Sequence, residues 1–195
     1  MREGLFIIGR GVGQVMFQNN AVSGLLMLVG IACNSWLLAL FALLGNFVGT
    51  LTAFFSGYSK EDIEDGLYGF NGTLVGIAVG IFMETGIASL LLLVAGSVLS
   101  TWIARMFSYQ KLLPGFTAPF ILTVWLLLAL CHWWFPSLLL PSVMSEETTS
   151  DLFQAFSLNI GQVMFQGGTV LSGLFFLAGI LLNSRVNALY TVWGA

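Results

Sequence analysis

Gly13-Gln14-Val15-Met16-Phe17-Gln18 returns, letter for letter, as Gly161-Gln162-Val163-Met164-Phe165-Gln166. Each copy is followed by a small-residue step, Ser23-Gly24 and Ser172-Gly173, and then by a leucine-rich run that closes on Asn34-Ser35 and Asn183-Ser184. One supersecondary unit is therefore used twice, which limits the folds open to the chain more than any single motif does. The two amides in each copy stand in otherwise apolar surroundings, where an unpaired polar group is costly, so each needs a partner, a cavity or a ligand.

The solvent decides which of these applies. Hydrophobic residues form 57% of the chain and charged residues 8%, and mean hydropathy is +0.94. A water-soluble domain cannot build its polar shell from that inventory, so the fold class is an all-α polytopic membrane protein. The stretch before Gly13, with Arg2 and Arg10, is followed by span after span and does not read as a cleaved signal. Cys33 and Cys131 sit inside apolar runs and read as packing residues. The net charge of -3 is scattered, and without a basic cluster it gives nucleic acid no surface to bind.

In chain order, a half-membrane helix of about 11–20 precedes spans of about 24–44, 45–57, 66–83, 86–104 and 116–135, judged against the ~20 residues that cross a bilayer. The 45–57 piece is short, rich in Gly and Thr, and suited to close packing. Lys60 to Asp65 is a dense charge cluster that belongs in water. Gly66, Gly69, Gly72, Gly76 and Gly80 interrupt the next span; they admit a neighbouring backbone, or break the helix where it lines a cavity. Arg105 to Gly115 reads as a basic loop with Lys111, and 136–151 as an acidic extracytoplasmic connector with Glu146, Glu147 and Asp151. Residues 1–135 thus form a first repeat, and 152–195 begin a second, with a pore helix of about 158–168 and a span of about 170–193.

Lys and Arg mark cytoplasmic loops, which puts the N-terminus and the Arg105 to Lys111 loop inside and the acidic connector outside a multi-pass cell-membrane protein. Five spans per repeat then invert the second copy relative to the first, the arrangement in which a pore lies at the repeat interface near the midplane. If 45–57 does not cross, the repeats run parallel instead.

Gln14 and Phe17, like Gln162 and Phe165, are three apart and share a face if the segment is helical; Phe70 and Leu74 are four apart and share another. A helix that ends inside the membrane leaves carbonyls unpaired, which is tolerated only beside a cavity or ligand. Such walls offer oxygen acceptors and aromatic faces, and the ligand that fits is small, planar, neutral and rich in N–H donors. Plainer readings stand beside these. Gln14 and Gln162 also serve as interhelical hydrogen bonds worth about 1 kcal/mol, and Phe17, Phe70 and Phe165 as packing. Asn71-Gly72-Thr73 matches a glycosylation sequon but lies in an apolar span. His132 beside Trp133-Trp134 reads as interfacial, and Glu84 as a span end. No Ser/His, paired-Asp or metal-ligand constellation is visible, so neither an enzyme nor a cofactor is expected.

At Gly11 to Asn20, at Gly66-Leu67-Tyr68-Gly69-Phe70-Asn71-Gly72-Thr73-Leu74-Val75-Gly76, and at Phe116-Thr117 with Pro119-Phe120 and Thr123, the sequence resembles the urea transporter family. The resemblance covers nearly the whole chain. It implies a homotrimeric, channel-like urea permease in a bacterial inner membrane, with inverted halves and two half-membrane pore helices. It implies that Gln14, Phe17, Gln162 and Phe165 line the pore, that Phe70 and Leu74 form an aromatic and aliphatic slot, and that Thr123 supplies a hydroxyl at the central constriction. The partners so implied are urea and membrane lipid.

The sequence departs from the family pattern after each motif, with Asn19-Asn20-Ala21 in the first copy and Gly167-Gly168-Thr169 in the second. These read as softer helix ends. Repeat symmetry asks for roughly 90 further residues after Ala195, including partners of the glycine-rich span and of Thr123. A fragment of a longer transporter, a non-conducting short form and a channel for another small neutral solute are the competing readings. Absence of a buried charged relay predicts transport uncoupled from protons or sodium.

Overall fold

The structure is a computed structural model describing residues 2–110, 114–141 and 151–195. The first unit is α1 (Arg2–Gln14), α2 (Ala21–Asn34) and α3 (Trp36–Phe55). The second, α8 (Leu152–Gln162), α9 (Val170–Asn183) and α10 (Arg185–Gly194), repeats it landmark for landmark. Between them come α4 (Lys60–Glu64), α5 (Gly69–Phe82), α6 (Ile87–Gln110) and α7 (Ala118–Trp134), with a 3-10 turn at Pro136–Leu138.

The Asn-Ser pairs break the helices. Ser35 is extended (φ -157°) and its Oγ accepts from Leu38 N–H, capping α3; Ser184 (φ -152°) does the same for Asn187. Serine as an N-cap satisfies a first-turn donor that a continuous helix would otherwise bond internally. The expected 24–44 span is therefore divided at Ser35, the 170–193 span at Ser184, and the expected boundary at Gly45 lies inside α3. Among the described residues two helices, α3 and α6, are long and apolar enough to cross a membrane; α2, α5, α7 and α9 are shorter apolar helices. Helix α6 runs on to Gln110, so Arg105 is helical rather than in a loop, its guanidinium 4.9 Å from the Tyr58 ring centre and 4.1 Å from that of Tyr109. Lys111, Glu146 and Glu147 lie outside the described residues, while Asp151 caps α8 by accepting from Phe153 N–H at 3.0 Å.

The glycines do not break α5, which is unbroken from Gly69 to Phe82. They let it pack backbone to backbone on α3: a Cβ on Gly45 would meet the Gly72 carbonyl, and one on Gly72 the Gly45 carbonyl. Buried Asn46 ties this crossing to α1, donating to Thr73 Oγ1 at 2.9 Å and to the Ile8 carbonyl at 3.1 Å. In lipid, where apolar burial drives little helix association, close approach and such hydrogen bonds carry the packing.

Helices α2 and α9 join the two units and run antiparallel. Gly30, late in α2, accepts from Ser172 Oγ, early in α9, at 2.7 Å, while Gly179, late in α9, abuts the Ser23 carbonyl, early in α2. Met27, Ile31, Phe176 and Ile180 fill the seam and are all but fully buried. The small-residue steps also have equivalent jobs: Gly24 lies against the Gly9 carbonyl and Gly173 against the Ser157 carbonyl, where each short helix crosses its neighbour.

Candidate functional site

Each glutamine motif turns out to be a helix end and a tight turn, not a helix face. Gln14 is the last residue of α1 and Gln162 the last of α8, and Phe17 (φ +58°) and Phe165 (φ +60°) are left-handed. A bulky residue in that region costs on the order of 1 kcal/mol, so both copies hold the same locally unfavourable conformation. Gln18 N–H donates to the Gly13 carbonyl at 3.0 Å and Gln166 N–H to Gly161 at 2.9 Å. The carbonyls of Val12, Gly13 and Gln14, and of Ile160, Gly161 and Gln162, accept from these turns. The last three carbonyls of each helix are therefore paired, and the expected shared helix face is replaced by a turn that throws the phenylalanine outward: Phe17 is 63% exposed and Phe165 37%. The departures after the motif do not disturb this geometry. Asn20 caps α2, its Oδ1 accepting from Val22 and Ser23 N–H, and Thr169 caps α9 through Leu171 N–H.

A cavity of about 580 Å³ opens beside the first turn, with Gln14, Phe17, Phe70, Asn71, Tyr68 and Phe116 in its wall. Gln14 Nε2 donates to the Asp65 carbonyl at 2.9 Å. Because a carbonyl demands the N–H side of the amide, Gln14 Oε1 is the atom left as an acceptor. The Phe17 ring meets Phe116 edge-on, centres 5.6 Å apart. Asp62 is the charged side chain among the described wall residues. No group of three His, Cys, Asp or Glu side chains among the described residues is placed to hold a metal.

The structure brings together some of the expected site residues and separates others. Gln14, Phe17 and Phe70 share the cavity. Leu74 (2% exposed) and Thr123 (0%) are core residues; the Thr123 hydroxyl donates to the Pro119 carbonyl at 2.8 Å. Phe165 stacks edge-on against Phe82 and Phe120, each 6.2 Å away. Gln162 lies on a separate recess with Leu152, Asn159 and Ala195.

Three buried amides, Gln18, Asn71 and Gln166, stand outside the expected site residues. Asn71, set aside as a poor sequon, accepts from Phe120 N–H at 3.1 Å and donates to the Phe116 carbonyl. It thus holds both the ring that faces Phe17 and the ring that faces Phe165. A buried Asn inside an apolar helix was the available signal, since such amides are satisfied by something specific. The second glutamine of each motif, Gln18 and Gln166, is the buried one, at 2% and 0% exposure.

A bundle of apolar helices, joined by two short helices that end on ring-presenting amide turns, one of them opening on an amide- and ring-walled cavity, has the construction of a membrane transport protein. The family described as "Urea transporter" matches residues 5–195. Urea transporter 1 from Rattus norvegicus and from Mus musculus are each 32% identical over 203 residues, and that from Capra hircus is 32% identical over 202. Each alignment takes in 95% of this chain and 52% of the relative, so the chain spans about half the length of the curated relatives it matches. The chain belongs to the urea transporter family, whose members are transport proteins and not enzymes.

Proposed function

We propose that the chain supports facilitated, channel-like passage of urea across a cell membrane, with the Gln14, Phe17 and Phe70 cavity as one mouth of the path. The observation that carries this reading is the chemistry of that wall. Ring faces suit a planar solute, and the Gln14 Oε1 left free by the bond to Asp65 suits an N–H donor. In this proposal Phe165, with Phe120 and Phe82, forms a second aromatic wall, buried Leu74 and Thr123 back the walls, and Gln162 serves the separate recess of the second unit. Replacing water in several weak steps lets a neutral solute enter without being trapped.

The antiparallel packing of α2 on α9 favours inverted over parallel halves, because a two-fold axis relating antiparallel spans lies in the membrane plane. A cytoplasmic N-terminus, a bacterial inner membrane and a homotrimer complete the proposal. A competition assay among urea, formamide, ammonia and water in proteoliposomes containing the chain tests it. Urea influx saturable and reduced by formamide supports the reading. Permeability no higher than that of empty liposomes contradicts it, and equal enhancement of water or ammonia points to another neutral solute.

A further inference from the structure

The buried glutamines reach across the seam between the two units. Asn183 Nδ2, at the end of α9, donates to Gln18 Oε1 at 2.8 Å, and Asn34 Nδ2, at the end of α2, donates to Gln166 Oε1 at 2.9 Å. The other half of each glutamine amide is spent inside its own turn: Gln18 Nε2 donates to the Met16 carbonyl at 2.6 Å and Gln166 Nε2 to the Met164 carbonyl at 2.8 Å. Each amide therefore brackets the left-handed phenylalanine of its turn on one side and grips the opposite unit on the other. A left-handed Phe needs such over-determination to persist. The neighbouring contacts are not symmetric in this way, since Ser172 Oγ bonds the Gly30 carbonyl whereas the equivalent Ser23 Oγ has no partner. The reciprocal Asn–Gln pair survives where that pair does not.

We propose that Asn34 and Asn183 are positioning residues, each fixing the ring-bearing turn of the other unit: Asn183 sets Phe17 through Gln18, and Asn34 sets Phe165 through Gln166. The two ring walls are thereby held at a spacing neither unit sets alone. Only the transport readout below rests on the proposed passage of urea; the exchange readout does not.

The test is amide hydrogen exchange on the whole chain in detergent micelles, comparing wild type with Asn183→Asp and Asn34→Asp. Aspartate keeps the size but faces the glutamine oxygen with an acceptor. Asn183→Asp should raise exchange at residues 15–20 about tenfold, the range of one lost hydrogen bond, and leave 163–168 unchanged; Asn34→Asp should do the reverse. Exchange that rises only in the variant's own unit, rises evenly, or does not change overturns the proposal. Should either variant fail to fold, Asn183→Ala, which removes the donor to Gln18 without a new charge and leaves the Gln18–Met16 bond in place, should raise exchange at 15–20 and not at 163–168, and failure to do so also overturns it. In transport, Asn183→Asp should lower urea permeability several-fold in the wild type and have no further effect in Phe17→Ala. Additive losses mean that Asn183 acts on stability and not through Phe17, again against the proposal. Wild-type liposomes without urea flux would remove the passage reading and leave the exchange result standing.

Discussion

Asn71 Oδ1 accepts from the Phe120 backbone N–H at 3.1 Å, while its amide nitrogen reaches the Phe116 carbonyl. One side chain on α5 thus governs the entry of α7 and, with it, the rings that meet Phe17 and Phe165. Asn71→Ala leaves both backbone groups without that partner in a site 1% exposed. We expect a loss of about 1–3 kcal/mol in detergent unfolding and a fall in urea permeability of about tenfold. Unchanged melting together with unchanged flux would mean that Asn71 positions nothing.

Phe17 separates stability from transport. Its left-handed backbone is strained for any side chain with a Cβ, so Phe17→Gly should leave the melting temperature unchanged or raise it, by the equivalent of up to ~1 kcal/mol. The same change removes a cavity ring and should reduce urea flux. Thermal melting and stopped-flow light scattering on the same preparation check both. Phe17→Gly with normal flux argues that the ring is lipid-facing packing.

The α3–α5 crossing tolerates no added methyl. Gly72→Ala puts its Cβ into the Gly45 carbonyl and should cost about 1–3 kcal/mol, as overpacking does. Gly86, with nothing within 4 Å of an added Cβ, should accept alanine within about 0.5 kcal/mol. Urea unfolding is unsuitable for a protein expected to bind urea, so guanidinium or heat should be used.

Among the described residues that line the cavity, no Lys, Arg or His is present, and a neutral solute has no need of a charged relay. Urea influx should therefore be unchanged by a protonophore and by replacing sodium with choline. Influx abolished by the protonophore would show proton coupling.

The sequence made the class and the duplication plain because both are written in composition and in identical letters: apolar content sets the solvent, and a copied hexapeptide announces a copied unit. The helix breaks are also present in the sequence, as Asn34-Ser35 and Asn183-Ser184, where each serine is a cap as well as a repeat landmark. The hydropathy of Gly24 to Leu44 hides a serine whose effect is local hydrogen bonding. Gln14 and Phe17 are three apart in one motif and share the cavity, whereas Phe70, in a separate motif, is linked to them in the sequence only by the family resemblance. Reading Gln14 and Phe17 as neighbours on a helix failed because a left-handed Phe has no sequence signature of its own. The Asn71 bracket and the Asn34–Gln166 and Asn183–Gln18 bonds join residues far apart in the chain, and a single sequence carries no trace of such pairings.

Passage of solute through the cavity beside Phe17 is open to a direct chemical block. Ser108 lines that cavity and is exposed, so Ser108→Cys, in a chain whose exposed Cys33 is changed to Ser, offers a thiol in the wall. Labelling it with a bulky methanethiosulfonate while urea permeability is measured in proteoliposomes is the most direct measurement. Permeability should drop to the empty-liposome level, recover on reduction of the mixed disulfide, and be protected by excess urea during labelling. Complete labelling with urea flux undiminished would place the path elsewhere in the protein.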